Sequence, residues 1–276
     1  MGQNNSSRKK LIIAWILAVI ITLSAAYYQR VTGPTYPLKV KTEINGKSLE
    51  FSLKRSSNNS SDCEISVPVM EKDVQAYMIY RKYPTNDNWD TLAFKKTEKG
   101  MSAFLPKQPA AGKLEYFLLF SDGKETKAVL QQEPNVIRYK GDVPAYVLIP
   151  HILFMFFGMM LSNLAGLLAA FKHDRARLYS LITFVLILLG GMILGPVVQK
   201  YAFGEFWTGV PFGWDLTDNK TLIAFLAWII TMIANRKKFR PGYIIAAALV
   251  TLIIFSIPHS MFGSELNPAT GIVTQG

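Results

Sequence analysis

Five long apolar segments limit the folds that this chain can adopt more than any other feature. Each approaches or exceeds the roughly 20 residues that a helix needs to cross the hydrocarbon core of a bilayer. We predict transmembrane helices at residues 11–28, 143–171, 178–198, 221–234 and 241–257. The fourth is short unless it begins at Leu216. Because half of the 276 residues are apolar, a membrane protein with one water-exposed domain fits better than a globular enzyme.

Basic residues gather at every second boundary of these segments: in residues 1–10 and in the loops after the second and fourth segments. They are Arg8, Lys9, Lys10, Lys172, Arg175, Arg177, Arg236, Lys237, Lys238 and Arg240. Because cytoplasmic loops are enriched in Lys and Arg, we predict a multi-pass protein with a cytoplasmic N-terminus and a periplasmic tail at 258–276. The rest of the net charge of +11 is spread over a mixed-charge domain. We therefore expect the lipid bilayer, and no nucleic acid, as a partner.

The first apolar segment admits two interpretations. The small residues Ser24, Ala25 and Ala26 follow an apolar core, as they do at the cleavage site of a secretory signal. The apolar run continues to Tyr28 without a helix breaker, which favours a retained anchor.

Residues 29–142 change from continuous apolar runs to short alternating runs separated by turns. Asn45-Gly46, between two such runs, is the strongest short signal for a hairpin. We predict strands at residues 38–44, 47–53, 64–69, 75–81, 90–95, 101–105, 113–120 and 126–131. The predicted fold is therefore an α-helical bundle of about five transmembrane helices with an inserted extracytoplasmic β-sandwich. Cys63 is the single cysteine, so no intrachain disulfide is possible.

Part of this domain, residues 77–120, resembles fibronectin type III and immunoglobulin-like modules through YRKYP, Trp89 and LPKQPAAGKLEYFLLF. The resemblance implies a module that binds protein partners. The domain has no histidine, no Ser-His-Asp grouping and no metal-ligand spacing. We therefore expect it to serve in docking.

Small residues recur at a four-residue spacing in the second and third apolar segments. They are Gly158, Ser162, Gly166, Gly191 and Gly195. In lipid this spacing allows helix backbones to approach closely. Asn163 lies at the same depth, and we expect its amide to face the interior of the bundle.

Residues 199–220 connect two predicted helices and are unusually aromatic. The stretch from Tyr201 to Thr221 contains three Phe, two Trp, one Tyr and three Gly, whereas a membrane loop is ordinarily polar. One interpretation is a flat or apolar ligand on this loop, and the other is an interfacial belt of aromatic side chains. Asp215, Thr217, Asp218 or Asn219 should cap the helix that follows.

The chain has three histidines. His173 lies in a basic loop and is expected to be solvated. His151 follows Pro150 at the outer end of the second span, and His259 follows Pro258 at the outer end of the fifth. The predicted topology brings both to the membrane face of the aromatic loop. Because a pair of neutral imidazoles suits the axial positions of a heme, heme is the predicted cofactor, with another metal or no cofactor as the alternative.

The loop resembles that of the heme-handling cytochrome c biogenesis membrane proteins, which has the pattern Trp-Gly-x-x-Trp-x-Trp-Asp. Phe203-Gly204-Glu205-Phe206-Trp207 is similar to its first half and Trp214-Asp215 to its second half. His151 and His259 are similar to the flanking outer histidines of that family. The residues from Thr208 to Gly213 separate the two halves, where the family has one residue.

Two further segments carry the same resemblance. Trp228 is similar to the tryptophans of the helix that follows the loop, and His259-Ser260-x-x-Gly263 is similar to the tail after the last spans. A cytoplasmic histidine pair is absent from this sequence. The resemblance therefore implies heme binding at the outer face more than synthase activity.

The resemblance also implies roles for individual residues. His151 and His259 would be axial ligands, and Asp215 would orient one of them. The residues that would enclose or approach the macrocycle are Phe206, Trp207, Phe212, Trp214, Gly204 and Gly213. Lys220 would pair with a propionate or with Asp218. An alternative small metal site would combine Asp218 with Glu265 and Asn267.

We therefore predict a protein of a bacterial inner membrane that binds heme or another metal centre at its outer face, in cytochrome assembly or electron transfer. Cys63 alone cannot supply a CxxC pair, so covalent chemistry would belong to partner thiols. The alternative is a non-enzymatic assembly subunit of an envelope complex that binds protein partners through the β-sandwich. A hydrolase that uses Asp215, Asp218 and a histidine is a third interpretation, but no nucleophile and base stand at an informative spacing.

Overall fold

The computed structural model describes residues 2–68, 74–98, 100–259, 261, 264–271 and 273–275. The chain divides into two compact units. The helical unit comprises Met1–Gly33, Val143–Tyr201 and Glu205–Gly263. The β unit comprises Pro34–Asp142, Ala202–Gly204 and Ser264–Gly276.

The helical unit is built from long apolar helices. They are α1 (Gly2–Val31), α2 (Ala145–Ala170), α3 (Ala176–Ile187), a π-helical segment (Leu188–Leu194), α4 (Gly195–Phe203), α5 (Leu216–Ala234) and α6 (Pro241–Ser256). Four stretches of the described chain are long and apolar enough to cross a membrane: Asn5–Val31, Ala145–Ala170, Ala176–Phe203 and Leu216–Ala234. The fourth span does begin at Leu216, and α6 is a shorter apolar helix.

One end of the helical unit carries the three basic clusters. The Ser7 hydroxyl lies 3.1 Å from Nε2 of His173, which joins the start of α1 to the loop between α2 and α3. Arg177 donates to the backbone carbonyls of Asn235 and Arg236 in the loop between α5 and α6. The clusters therefore share one end, as the alternation of boundaries predicted.

The prediction that His173 is solvated is wrong. The residue is 9 % exposed, and its Nδ1 accepts a hydrogen bond from the backbone N–H of Arg175 at 3.1 Å. The proton of the neutral ring is then on Nε2, which donates to Ser7. His173 therefore anchors a helix connection.

Small residues set the close approach of α2 to its neighbours. A Cβ atom on Gly166 would lie 2.6 Å from Cβ of Ala248 in α6, and one on Gly158 would lie 3.4 Å from Ile187 in α3. The amide of Asn163 is buried and donates to the hydroxyl of Thr22 in α1 at 2.9 Å. The predicted close approach of the helices at these glycines and the inward-facing amide of Asn163 are both confirmed.

The β unit contains the strands of the chain. They are β1 (Leu38–Ile44), β2 (Lys47–Leu53), β3 (Ser56–Asn58), β4 (Cys63–Val67), β5 (Gln75–Lys82), β6 (Asp90–Ala93), β7 (Lys95–Thr97), β8 (Gly100–Leu105), β9 (Lys113–Ser121), β10 (Thr126–Val129), β11 (Asn135–Lys140), β12 (Ser264–Leu266) and β13 (Val273–Gln275). The largest sheet has the order β3-β11-β9-β5-β6, with β10 also paired to β9. A three-stranded sheet, β4-β8-β7, and the β1-β2 hairpin share one apolar core with it.

All eight predicted strands are present, with shifts at their ends; Val69, the predicted end of one strand, lies outside the described residues. Strands β3, β7 and β11 and the β12-β13 hairpin in the tail were not predicted. In β11 the polar residues Asn135 and Arg138 are buried, which hides the alternation of apolar and polar positions. Asn135 is satisfied there because its amide donates to the carbonyl of Lys54 at 3.0 Å.

Candidate functional site

His151 is held by a hydrogen bond to the π-helical segment. Its Nδ1 lies 2.9 Å from the carbonyl oxygen of Gly190. A carbonyl can only accept, so Nδ1 carries the proton and Nε2 keeps its lone pair. This is the tautomer of a metal-binding histidine whose second nitrogen is fixed by a backbone carbonyl.

Two features of the π-helical segment allow this contact. Gly190 has no side chain, and a Cβ atom there would lie 2.8 Å from Cβ of Phe154. The segment also replaces regular i to i−4 hydrogen bonds with wider ones, a distortion that is frequent at functional sites. The carbonyl of Gly190 can therefore reach His151, which is half-buried on α2.

His259 follows α6 and is positioned by a lysine. The ammonium of Lys220, a residue only 2 % exposed, donates to the carbonyls of Ile257 at 2.9 Å and Pro258 at 3.1 Å. These are the two residues before His259, so Lys220 fixes the backbone that presents the imidazole. We call this arrangement the Lys220 clamp.

The electrostatic surroundings of His259 keep its ring neutral. Desolvation by the surrounding protein, the positive charge of Lys220 and the proximity of His151 all lower the pKa of His259 below its usual value. The residue still retains accessible surface. The side chain of His259 is exposed, and the neighbouring Lys220 and His151 both disfavour the charged form of the ring.

The aromatic loop is folded around the first turn of α5. The carboxylate of Asp218 accepts hydrogen bonds from the backbone N–H groups of Thr208 at 2.6 Å and Gly209 at 3.1 Å. The side-chain oxygen of Asn219 accepts from the N–H of Val210 at 2.8 Å. From α4, the amide of Gln199 donates to the hydroxyl of Thr208 at 2.7 Å. The loop backbone is thus fixed by side chains of both flanking helices.

The predicted site residues on the loop differ in exposure. Trp207 is half-buried, and its indole N–H donates to the carbonyl of Val210 at 3.1 Å. Phe206 is 54 % exposed, Phe212 79 % and Trp214 80 %. Most of the aromatic surface that was expected to enclose a cofactor therefore faces outward.

Asp215 and Gly204 have clear backbone roles. Oδ1 of Asp215 accepts from the N–H groups of Thr217 at 2.8 Å and Asp218 at 3.4 Å, which confirms the predicted helix cap. Gly204 has φ +94°, a conformation that favours glycine, and a Cβ atom there would meet open space. Its conformation, and not crowding, explains the glycine at that position.

Two predicted pairings are replaced by others. Lys220 donates to carbonyls and does not pair with Asp218, which binds the loop backbone instead. Glu265 forms an ion pair with Lys113, and Asn267 accepts from the N–H of Ala269. Within the described ranges, no group of three or more His, Cys, Asp or Glu residues could hold a metal ion.

Trp228 lies in the core of the helical unit. It is fully buried, and its indole N–H donates to the hydroxyl of Thr251 at 2.9 Å. The predicted tail motif beginning at His259 includes Ser260 and Gly263, which lie outside the described residues.

Several residues that shape the site were missed from sequence. No sequence motif marks these residues, because their roles depend on contacts between separate helices. They are Gly190, Gln199, Thr208 and Gly209. The signal that was available for Lys220 was a basic residue in the second turn of an apolar helix, where a buried charge needs a partner.

No protein-family model, curated protein or solved structure matches this chain.

Proposed function

We propose that this chain binds a heme through His151 and His259 and serves in electron transfer or cytochrome assembly. The observation that carries the proposal is the hydrogen bond from Nδ1 of His151 to Gly190, which leaves Nε2 available as a ligand.

The set of donor groups favours heme over an ion held by protein ligands alone. A structural zinc site takes four protein ligands and a catalytic one takes three. The described residues offer two imidazoles without a cluster of three ligating side chains. A heme fits this set, because it supplies four equatorial nitrogens and requires only axial ligands from the protein.

The residues of the chain would have separate tasks. Nε2 of His151 and a ring nitrogen of His259 would be the axial ligands, and the bound heme would supply one-electron redox chemistry. The Gly190 carbonyl would fix the tautomer and orientation of His151. The Lys220 clamp would fix the backbone before His259.

The test is a reduced-minus-oxidised visible spectrum of the full chain, purified in mild detergent after expression with a heme supply. We expect a Soret band that is lost in His151→Ala and in His259→Ala. The matched control is His173→Gln, at the other end of the helices, which should keep the band.

Two outcomes would overturn the proposal. One is a folded wild-type protein that is colourless and holds neither iron nor copper by elemental analysis. The other is a band that persists in both ligand variants, because the heme would then be bound elsewhere.

The proposed setting is a bacterial inner membrane with the basic end in the cytoplasm. Shared placement of the three basic clusters at one end of the helical unit supports this orientation. His151 lies near the start of α2 and His259 follows the end of α6, whereas the basic loops lie at the end of α2 and the start of α6, so both proposed ligands lie at the opposite end.

A partner-binding assembly subunit is the second candidate function. It is favoured by Phe104, which is 54 % exposed although it lies on β8, the central strand of its sheet. A photo-crosslinking residue at position 104 should then form an adduct with a partner protein in membranes, and one at the exposed position Ser48 should not.

A further inference from the structure

The most exposed apolar side chains of the loop lie on a backbone that is fixed by hydrogen bonds to α5. Phe206, Phe212 and Trp214, here called the aromatic platform, are each more than half exposed. A large apolar side chain is less stable in contact with water than when it is buried. A surface of this kind is ordinarily covered by something.

Six backbone N–H groups of the loop have partners within the protein. The N–H groups of Phe212 and Gly213 donate to the carbonyl of Gly209 at 2.9 and 3.0 Å, and that of Asp215 donates to Thr208 at 3.1 Å. The N–H groups of Thr208, Gly209 and Val210 are bound by α5 side chains. A segment with paired backbone groups can enter a region of low water content at little cost.

Gly209 makes this arrangement possible. A Cβ atom there would lie 2.7 Å from Cβ of Asp218 and 2.8 Å from Oδ1 of Asn219. The loop therefore packs against α5 at a distance that only glycine permits.

The surroundings of the platform indicate a membrane interface. The loop is tethered at both ends to candidate spans, with α4 ending at Phe203 and α5 beginning at Leu216. Tyr146 at the start of α2 is 75 % exposed, and Tyr28 near the end of α1 is 56 % exposed. Exposed tyrosines at the same end of several spans are typical of the headgroup level.

A cation lies at the same level. The ammonium of Lys200, an exposed residue in the last turn of α4, is 5.3 Å from the ring centroid of Phe206. Lys side chains near the ends of membrane helices extend toward lipid phosphates. Lysine and aromatic rings together suit the boundary between phosphates and acyl chains.

We infer that the aromatic platform is an interfacial anchor that inserts into the lipid leaflet beside α4 and α5. Phe206, Phe212 and Trp214 enter the boundary between headgroups and acyl chains, and Lys200 binds at the level of the phosphates. The occupant is lipid and not a protein partner. This inference does not depend on the presence of a heme.

The test places an environment-sensitive NBD label on Phe212→Cys or Trp214→Cys in a Cys63→Ala background. The protein is reconstituted in vesicles of phosphatidylcholine and phosphatidylglycerol at a ratio of about 3:1, an anionic surface that attracts basic residues. The control label is on Asn86→Cys, an exposed position of the β unit. Nitroxides on lipid headgroups and shallow acyl carbons should quench the platform labels, and aqueous iodide should quench them about threefold less than the control.

Two results would overturn the inference. Iodide quenching equal to that at position 86 would place the platform in water, and shielding from both lipid nitroxides and iodide would place it under protein. If the cysteine variants do not fold, brominated lipids provide a second measurement. They should quench the tryptophan fluorescence of the wild type more than that of Trp214→Phe, and equal quenching would contradict lipid contact.

Discussion

Asp215 and Lys220, at the start of α5, bind backbone groups in different ways: Asp215 accepts from N–H groups of its own helix, and Lys220 donates to carbonyls of a distant segment. The sequence indicated that a residue between 215 and 219 would cap α5, and Asp215 does so because a short carboxylate before an apolar run accepts the free N–H groups of the first turn. Lys220 was expected to find a carboxylate and instead found two carbonyls. A capping residue binds N–H groups that are adjacent in sequence, so its role can be predicted locally. The partner of a buried ammonium belongs to a distant segment and cannot be predicted in this way.

The Lys220 clamp predicts a local effect. In Lys220→Met the carbonyls of Ile257 and Pro258 lose their donor, so the backbone before His259 should open more readily. Hydrogen–deuterium exchange of peptides covering residues 252–261 should become faster, while the body of α5 stays protected. Lys200→Met, which removes an exposed lysine, is the matched control. Equal exchange in wild type and Lys220→Met would show that the clamp does not hold this segment.

Two buried tyrosines of the β unit give opposite predictions. The hydroxyl of Tyr116 donates to the carbonyl of Lys54 at 2.9 Å, whereas that of Tyr139 has no partner among the described residues. Tyr116→Phe should lower the free energy of unfolding by about 1 kcal/mol, and Tyr139→Phe should leave it unchanged or raise it. Exchange-detected opening of β9 and β11 measures both. A clear loss of stability in Tyr139→Phe would contradict the assignment of an unpaired hydroxyl.

The same tyrosines predict a sensitivity to alkali. Burial raises the pKa of Tyr116 and of Tyr139, so the folded state keeps protons that the unfolded state loses above pH of about 10. Their contribution is complete below that pH and falls as the pH rises, by about 1.4 kcal/mol per pH unit for each tyrosine. Unfolding measured between pH 8 and 11 should show a shallower decline in Tyr139→Phe than in wild type. Parallel declines would rule out a contribution from Tyr139.

At the scale of elements, hydrophobic patterning located the helices and most of the strands. Continuous apolar runs and the Asn45-Gly46 hairpin are local signals, and both correspond to observed elements. The π-helical segment and β11 were not predicted. The first depends on packing between α2 and α3, and the second buries polar side chains that only its neighbouring strands can satisfy.

Helix packing predicts contrasting effects of two glycine replacements. Gly166→Leu places a side chain where a single Cβ would already lie 2.6 Å from Ala248, so α2 and α6 must separate. We expect a loss of about 1–3 kcal/mol, the usual cost of overpacking. Gly242→Ala, in the first turn of α6, meets open space and should be neutral or slightly stabilising. Detergent-titrated unfolding of the helical unit compares the two, and similar midpoints would contradict close packing at Gly166.

At the scale of the whole molecule, sequence predicted a helical membrane part and a strand-rich domain, and both units are present. The alternation of basic boundaries correctly predicted that the three basic clusters lie at one end of the helical unit. Two loops that are separated by two helices return to the same end of a bundle. Charge and hydropathy patterns do not predict in the same way whether a cofactor binds. It depends on the directions of individual ring nitrogens, which no hydropathy pattern encodes.

The proposed topology predicts labelling from opposite sides. In a Cys63→Ala background, Asn45→Cys in the β1-β2 turn should react with a membrane-impermeant maleimide added outside spheroplasts. Lys237→Cys, between α5 and α6, should react only after the membrane is permeabilised. Reaction of both positions from the same side would refute the arrangement.

The π-helical segment has a consequence for the residues that follow it in the apolar stretch Ala176–Phe203. Each residue of an α-helix advances the chain by about 100°, so a change of one residue within Leu188–Leu194 would rotate everything that follows by about that angle. Deleting Gly191 should turn Gln199 away from Thr208 and remove this contact between α4 and the loop, although neither residue is altered. The direction in which α4 presents its side chains therefore depends on the number of residues in the π-helical segment, remote from the loop that α4 contacts.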